Sequence, residues 1–366
     1  MQPYATYASL LHHLDDLGRP VRVLAAAPDG SPLVAVRTGG DRLPAVLITA
    51  GSHSTEHAGV RAAVELIERL QTEHQVYIVP SRDPVGLGGF GHALALGLGV
   101  EPEFDGYEEL DDLLRGAGDI VYEEPGLLLA LAGEFGYAVC PPGEGRAHAQ
   151  WVAYNRLLAL AREAPETLAA LRGRRVFMTP AQPEVEGSGD FGRAYTLVVS
   201  PDGEVLHLNR FHDTPWAPTE PRAICRLLAE VRPGISFDLH ESELMGDHYW
   251  LSARAQADPV SQEWEERAAR ATIQAIADHG ATLADDDDVL GGVPLEQTWF
   301  RRSETGVYWL DAQVRGEGLN LMDFASRHYG MAFGTEMGMH GAFAHRVELG
   351  VLTVQSAVAV FAERHR

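Results

Sequence analysis

Short apolar runs alternate along the chain with segments whose apolar residues recur every three or four positions. "VRVLAAA" and "LVAVRT", divided by the turn sequence "PDGSP", predict two strands. "AVLITA" is apolar almost throughout, as a strand covered on both faces would be. Val60, Val64, Ile67 and Leu70 then fall at helical spacing and predict a helix from His57 to Leu70, followed by a strand at "QVYIVP". Later, "PRAICRLLAEVRP" reads as a helix leading into the strand "GISFDLH". "HYWLSA", "GVYWLDA" and "MAFGTE" are further strands, with a long helix from about Pro259 to His279. Phe343, Val347, Val351, Val354, Val358 and Phe361 form one apolar stripe and predict a terminal helix.

This alternation predicts an α/β fold around a mixed, mostly parallel twisted sheet with helices on both faces. Residues 92–190 break the pattern: they are rich in acid and in loop-forming sequence, with one helix-like stretch, "AQWVAYNRLLALAREAPETLAALRG". They read as an insertion or lid within a single domain spanning residues 1–366. "ADDDD", residues 284–288, reads as a solvated acidic loop.

Composition narrows the function classes. The 366 residues carry a formal net charge of −23, which disfavours nucleic acid and anionic membrane as partners. The two cysteines, Cys140 and Cys225, make neither a spaced zinc motif nor a disulfide framework. The first residues lack a basic start followed by an apolar stretch, and the expectation is a cytoplasmic protein.

The candidate chemistry sits at the ends of the predicted strands. In "LITAGSHSTEHAG", His53 and Glu56 stand where a buried strand gives way to a helix, the position at which open α/β sheets bind ligands. A hydrolytic zinc site needs a third ligand, and "GISFDLHESE" offers His240 at the end of another apolar strand. Asp238, two residues earlier on the same face, can accept the second imidazole N–H. For a general base, Glu336 in "MAFGTEMG" closes a strand before the terminal helix and is preferred to Glu348, which lies within that helix. Arg193 in "GSGDFGRAY" offers a cation for a developing oxyanion. The adjacent pair Asn209 and Arg210 can hold a substrate carboxylate through amide and guanidinium donors.

These stretches, in this order, resemble the zinc carboxypeptidases of the carboxypeptidase A type together with their deacylase relatives, the succinylglutamate desuccinylases and aspartoacylases. The similarity covers about 260 residues and leaves out the insertion. It implies one zinc ion per chain on His53, Glu56 and His240, with Glu336 as general base and acid. It also implies Arg193 at the oxyanion and Asn209 and Arg210 on the substrate carboxylate. The chain departs from the family after "QVYIVP", where "SRDPVGLGG" replaces the usual Asn-Pro-Asp-Gly; Tyr308 and Tyr329 are candidates for the tyrosine that carboxypeptidases use near the substrate.

The implied activity is hydrolysis of an amide bond next to a free carboxylate, foremost in peptides. The alternatives are a deacylase of N-acyl amino acids and an inactive binding protein on the same fold. "GLGGFG" satisfies a dinucleotide fingerprint only formally, because "HALALGLG" is a poor helix and no acid closes a following strand. No Gly-x-Ser-x-Gly elbow supports a serine hydrolase.

Overall fold

A computed structural model describes residues 1–141, 149–179, 191–214, 216–242, 246–310 and 318–366. Fifteen strands in it form two sheets. The larger sheet takes β1 (Val21–Ala26), β2 (Pro32–Gly39), β3 (Arg42–Ala50) and β4 (His74–Val79) from the first part of the chain. The smaller sheet takes β5 (Asp119–Glu124), β6 (Leu127–Ala132), β7 (Phe135–Val139), β8 (Arg175–Met178), β9 (Tyr195–Val199) and β10 (Val205–His207). The larger sheet is completed by β11 (Ile235–Ser242), β12 (Tyr249–Arg254), β13 (Phe300–Glu304), β14 (Val307–Leu310) and β15 (Met331–Gly338).

The nine-stranded order is β1-β2-β4-β3-β11-β15-β12-β14-β13. Its centre, β4-β3-β11-β15, is parallel throughout, while β1, β2 and β13 pair antiparallel at the edges and β12 runs antiparallel to β15. The near-continuous apolar runs of the central strands follow from being covered twice. Val46 and Ile48 of β3 point into a core with the helices His57–Arg69, Pro259–Asp278 and Phe343–Arg364. Leu47, one residue out of phase, points into the opposite core with the helices Thr219–Val231 and Leu321–His328. The α/β architecture with helices on both faces is therefore as the hydrophobic pattern predicts.

The stretch at 92–190 differs from its loop-rich appearance. Among the described residues it holds most of a six-stranded sheet, order β10-β9-β8-β7-β6-β5, which continues to His207. One face of this sheet packs on the helix Ala149–Glu163, the other on the helices Phe90–Leu98 and Tyr107–Ala117. "HALALGLG" is thus helical after all, capped by Gly99 in the left-handed region. "ADDDD" is a short capped helix, Asp286–Leu290, in which the Asp285 carboxylate accepts from the backbone N–H groups of Asp287 and Asp288. Residues 180–190 lie outside the described residues. No helix among the described residues is long and apolar enough to cross a membrane.

One buried acid ties two strands of the large sheet to a helix. Glu265 is fully buried; its Oε1 accepts from the backbone N–H groups of Arg254 (3.2 Å) and Ala332 (3.4 Å), and its Oε2 from the Gln256 amide (2.7 Å). Burial raises its pKa to about 8, against hydrogen bonds that favour the anion. The folded state therefore holds a proton that the unfolded chain releases near pH 4.5, and stability drains away as pH rises from there through about 8. Thermal melts of Glu265→Gln and the parent should converge near pH 5 and diverge above pH 8, the variant melting higher; a parallel pair of curves would contradict this.

Candidate metal centre

β3 ends at Ala50, and Gly51 turns the chain at φ +60°, a conformation that glycine adopts without strain. The turn delivers His53 and then Glu56, which occupies the N-cap of the helix His57–Arg69 without using its side chain as a cap. That duty falls to Glu241 of β11, whose Oε2 accepts from the Ala58 N–H at 2.5 Å while its Oε1 accepts from buried Arg346. Glu56 is thereby left to face the imidazoles. Its Oε1 lies 2.5 Å from His53 Nδ1 and its Oε2 lies 2.8 Å from His240 Nδ1. One ligand atom from each of the three residues falls within 4.8 Å of the others.

The outward nitrogens are also engaged. His240 Nε2 lies 2.7 Å from Asp238 Oδ2, and His53 Nε2 lies 2.8 Å from His207 Nδ1. A proton on each Nε2 leaves each Nδ1 lone pair directed at the shared centre, the arrangement that supporting groups give to metal-ligating histidines. Asp238 is itself held by Thr49 Oγ1 (2.8 Å), Arg82 Nη2 (2.5 Å) and Asn209 Nδ2 (3.2 Å).

Electrostatics points the same way. Burial disfavours the Asp238 carboxylate, yet Arg82 and the His240 imidazole outweigh it and hold its pKa well below the usual range. Burial likewise opposes a charged His240, but Asp238 and Glu56 on its two nitrogens carry its pKa well above the ordinary value. Arg82 is the fixed cation for Asp238. Glu56, 4% exposed, forms ion pairs only with the two imidazoles among the described residues. Two imidazoles and one buried carboxylate, short of a fixed positive charge, fit a divalent cation such as zinc and leave a fourth position open.

The centre lines a cavity of about 310 Å³. Glu336 lies on its wall, directly opposite His240 in the parallel register of β11 and β15. Glu348 does not line it: on the terminal helix it pairs with both guanidinium nitrogens of Arg69 at 2.7 Å. Asn209 and Arg210 reach the cavity from the turn after β10. The Asn209 amide is committed to structure at both ends, donating to Asp238 and accepting the Leu321 N–H at 3.1 Å.

Arg193 requires a correction. It is 2% exposed and absent from the cavity lining. Its guanidinium donates to the carbonyls of Tyr4, Ala5 (3.0 Å) and Gly192 (2.5 Å), pinning the N-terminal segment to the loop before β9. A guanidinium committed to backbone carbonyls and outside the cavity lining is not placed to meet an oxyanion in that cavity. Tyr308 and Tyr329 also stay out of the lining; Tyr308 donates to Asp286 at 2.8 Å. The tyrosine at the centre is Tyr195 of β9, stacked on His53 with ring centroids 5.3 Å apart.

Two supporting residues escaped the sequence reading. Arg82 follows β4 at the point where the family pattern is broken, and a cation immediately after a buried strand was the available signal. His207 stands between Leu206 and Leu208, a polar position in an apolar strand.

The chain matches no protein-family model and no curated protein. Among solved structures it is similar to a metallo-carboxypeptidase from Pseudomonas aeruginosa in complex with (2-guanidinoethylmercapto)succinic acid. The TM-score is 0.51 at 14% identity, over 98% of this chain and 69% of that one. It is similar to a metallo-carboxypeptidase from Burkholderia cenocepacia, with TM-score 0.50 and 12% identity over 98% and 69% of the two chains. A protein from Shewanella denitrificans OS217, named provisionally as a metallopeptidase, gives 0.51 and 14% over 96% and 88%. At these identities the likeness is one of fold. The chain has the metallocarboxypeptidase fold and carries a His-Glu-His group suited to a metal at the strand ends.

Proposed function

We propose that the protein is a zinc-dependent hydrolase of amide bonds next to a free carboxylate, acting as a carboxypeptidase on peptides. The observation that carries this reading is the convergence of His53, Glu56 and His240 beside Glu336 in one cavity. A zinc ion held by the three ligands would supply an acidified water and a polarising charge for the scissile carbonyl. Glu336 accepts a proton from the attacking water and returns it to the leaving nitrogen, a double duty open to a carboxylate within reach of both. Arg210 binds the carboxylate that marks the substrate end, as an arginine fork does well. Asn209 keeps Asp238 and His240 in place from the same turn. That the Pseudomonas aeruginosa protein holds a succinic acid derivative supports a carboxylate-bearing ligand for this site.

A second reading, a deacylase of small N-acyl amino acids, is favoured by the smaller sheet. Its Tyr195 and His207 wall the centre on one side and limit the room for a long chain.

The test begins with metal content by mass spectrometry on the wild type and His53→Ala, followed by a panel of peptides and N-acyl amino acids. About one zinc per wild-type chain, little in the variant, and release of a terminal amino acid would support the proposal. A metal-free wild type after zinc is supplied would sink it, and zinc without turnover of either substrate class would favour a binding protein.

A further inference from the structure

The cavity continues away from the metal centre along β12. Trp250, Ser252 and Arg254 alternate on one face of that strand, and all three line the cavity. The antiparallel register sets Trp250 opposite Glu336 and Ser252 opposite Gly334, so Arg254 lies four residues deeper than the candidate base. At a strand rise of about 3.3 Å per residue that is about 13 Å of backbone, which the reach of the two side chains shortens to roughly the room for one amino-acid residue. The wall is kept open at Gly334, where an added Cβ would stand 2.5 Å from Ser252 Oγ. The pocket thus ends on a guanidinium.

That guanidinium is built into place. Arg254 is 3% exposed. Its Nε is paired with buried Asp323 and its Nη1 donates to the Ala253 carbonyl at 3.3 Å; Nη2 has no hydrogen-bond partner among the described residues. The other acid against this strand end, Glu265, binds the Arg254 backbone N–H rather than the guanidinium, and burial favours its neutral form. The same cavity is lined by Arg210 nearer the metal centre. The lining also holds acids, but Asp238 is paired with Arg82, Glu241 with Arg346, Asp288 with His248 and Glu56 with the two imidazoles, so the two guanidiniums facing this space of about 310 Å³ suit a small ligand with two carboxylates better than one with an apolar or cationic side chain.

We infer that Arg254 closes a side-chain subsite for an acidic residue, so that the favoured substrates end in, or release, glutamate or aspartate. This rests on the hydrolase reading above, with Arg210 taking the main-chain carboxylate and Arg254 the side-chain carboxylate.

The experiment compares zinc-loaded wild type, Arg254→Gln and Arg254→Lys on matched substrates ending in Glu, Leu and Lys. It also measures binding of free glutamate and leucine by calorimetry. The expected wild-type preference is for the glutamyl substrate. In Arg254→Gln its KM rises on the order of 10–100-fold, the loss of a charged hydrogen bond, and by clearly more than the KM for the leucyl substrate. Arg254→Lys keeps the charge beside Asp323 and is expected to retain part of the preference, which separates loss of recognition from loss of folding. A wild type that favours Leu or Lys would overturn the subsite while leaving the hydrolase reading intact. If no substrate is turned over, the hydrolase reading fails, and calorimetry still decides. Glutamate binding that vanishes in Arg254→Gln upholds the acidic subsite, and equal binding of glutamate and leucine overturns it.

Discussion

Glu336→Gln is expected to keep its metal and lose turnover by on the order of 10²–10⁴-fold, the span typical of removing a general acid–base. The amide matches the carboxylate in shape but cannot take a proton from water or return one to nitrogen. The position is set by backbone pairing: Glu336 faces His240 across neighbouring parallel strands, which lie about 4.8 Å apart. Metal content is expected to stay at the wild-type level. Glu348→Gln is the matched control. Its parent carboxylate is bound to Arg69 away from the cavity, so turnover should be unchanged. The opposite pattern, with Glu348→Gln inactive and Glu336→Gln active, would show the base to be misassigned.

His240→Ala is expected to abolish metal retention even when zinc is supplied in excess. The loss exceeds one ligand of three. His240 Nδ1 holds one oxygen of Glu56, and His53 Nδ1 holds the other, so removing the imidazole also frees the carboxylate to turn. The variant should still fold, because Asp238 keeps Arg82 and Thr49 as partners, and circular dichroism would record that. A folded variant that retains full zinc would contradict the ligand set.

The central architecture was legible because its strands are covered on both faces and its helices carry single apolar stripes. "AVLITA" and the stripe from Phe343 to Phe361 leave little freedom in how they can be buried. Strand ends were legible for the same reason, which is why His53, Glu56, His240 and Glu336 could be singled out before their convergence was visible. The smaller sheet was harder. "LLLALA" and "FGYAV" are two short runs joined by Gly133 and Glu134, and the other strands of their sheet are spread from Asp119 to His207 with a helix among them, so the local signal is weak and the sheet exists only through pairing. Arg193 shows the limit most clearly. Its glycine-rich stretch, and its place before Asn209 close to where the resembled family carries an oxyanion arginine, suggested a shared site, whereas its hydrogen-bond acceptors Tyr4 and Ala5 stand nearly two hundred residues away. A residue's nearest neighbours along the chain say little about which carbonyls a long buried side chain will find. Arg82 carries the same lesson with the opposite sign: a break in a family pattern supplied the cation that steadies Asp238.

The pairing of His240 with Glu336 has a consequence for how the molecule breathes. Both residues sit on β11 and β15 at the middle of the nine-stranded sheet, where backbone amides are released to solvent only when the whole domain opens. The mouth of the cavity is different: Trp299, 43% exposed, belongs to the loop beside the edge strand β13, which local fluctuations reach first. Hydrogen exchange should therefore be slow under the reacting groups and fast at the entrance. Such a division lets the rim vary in sequence or yield to an arriving ligand while the spacing of His240 and Glu336 stays constant.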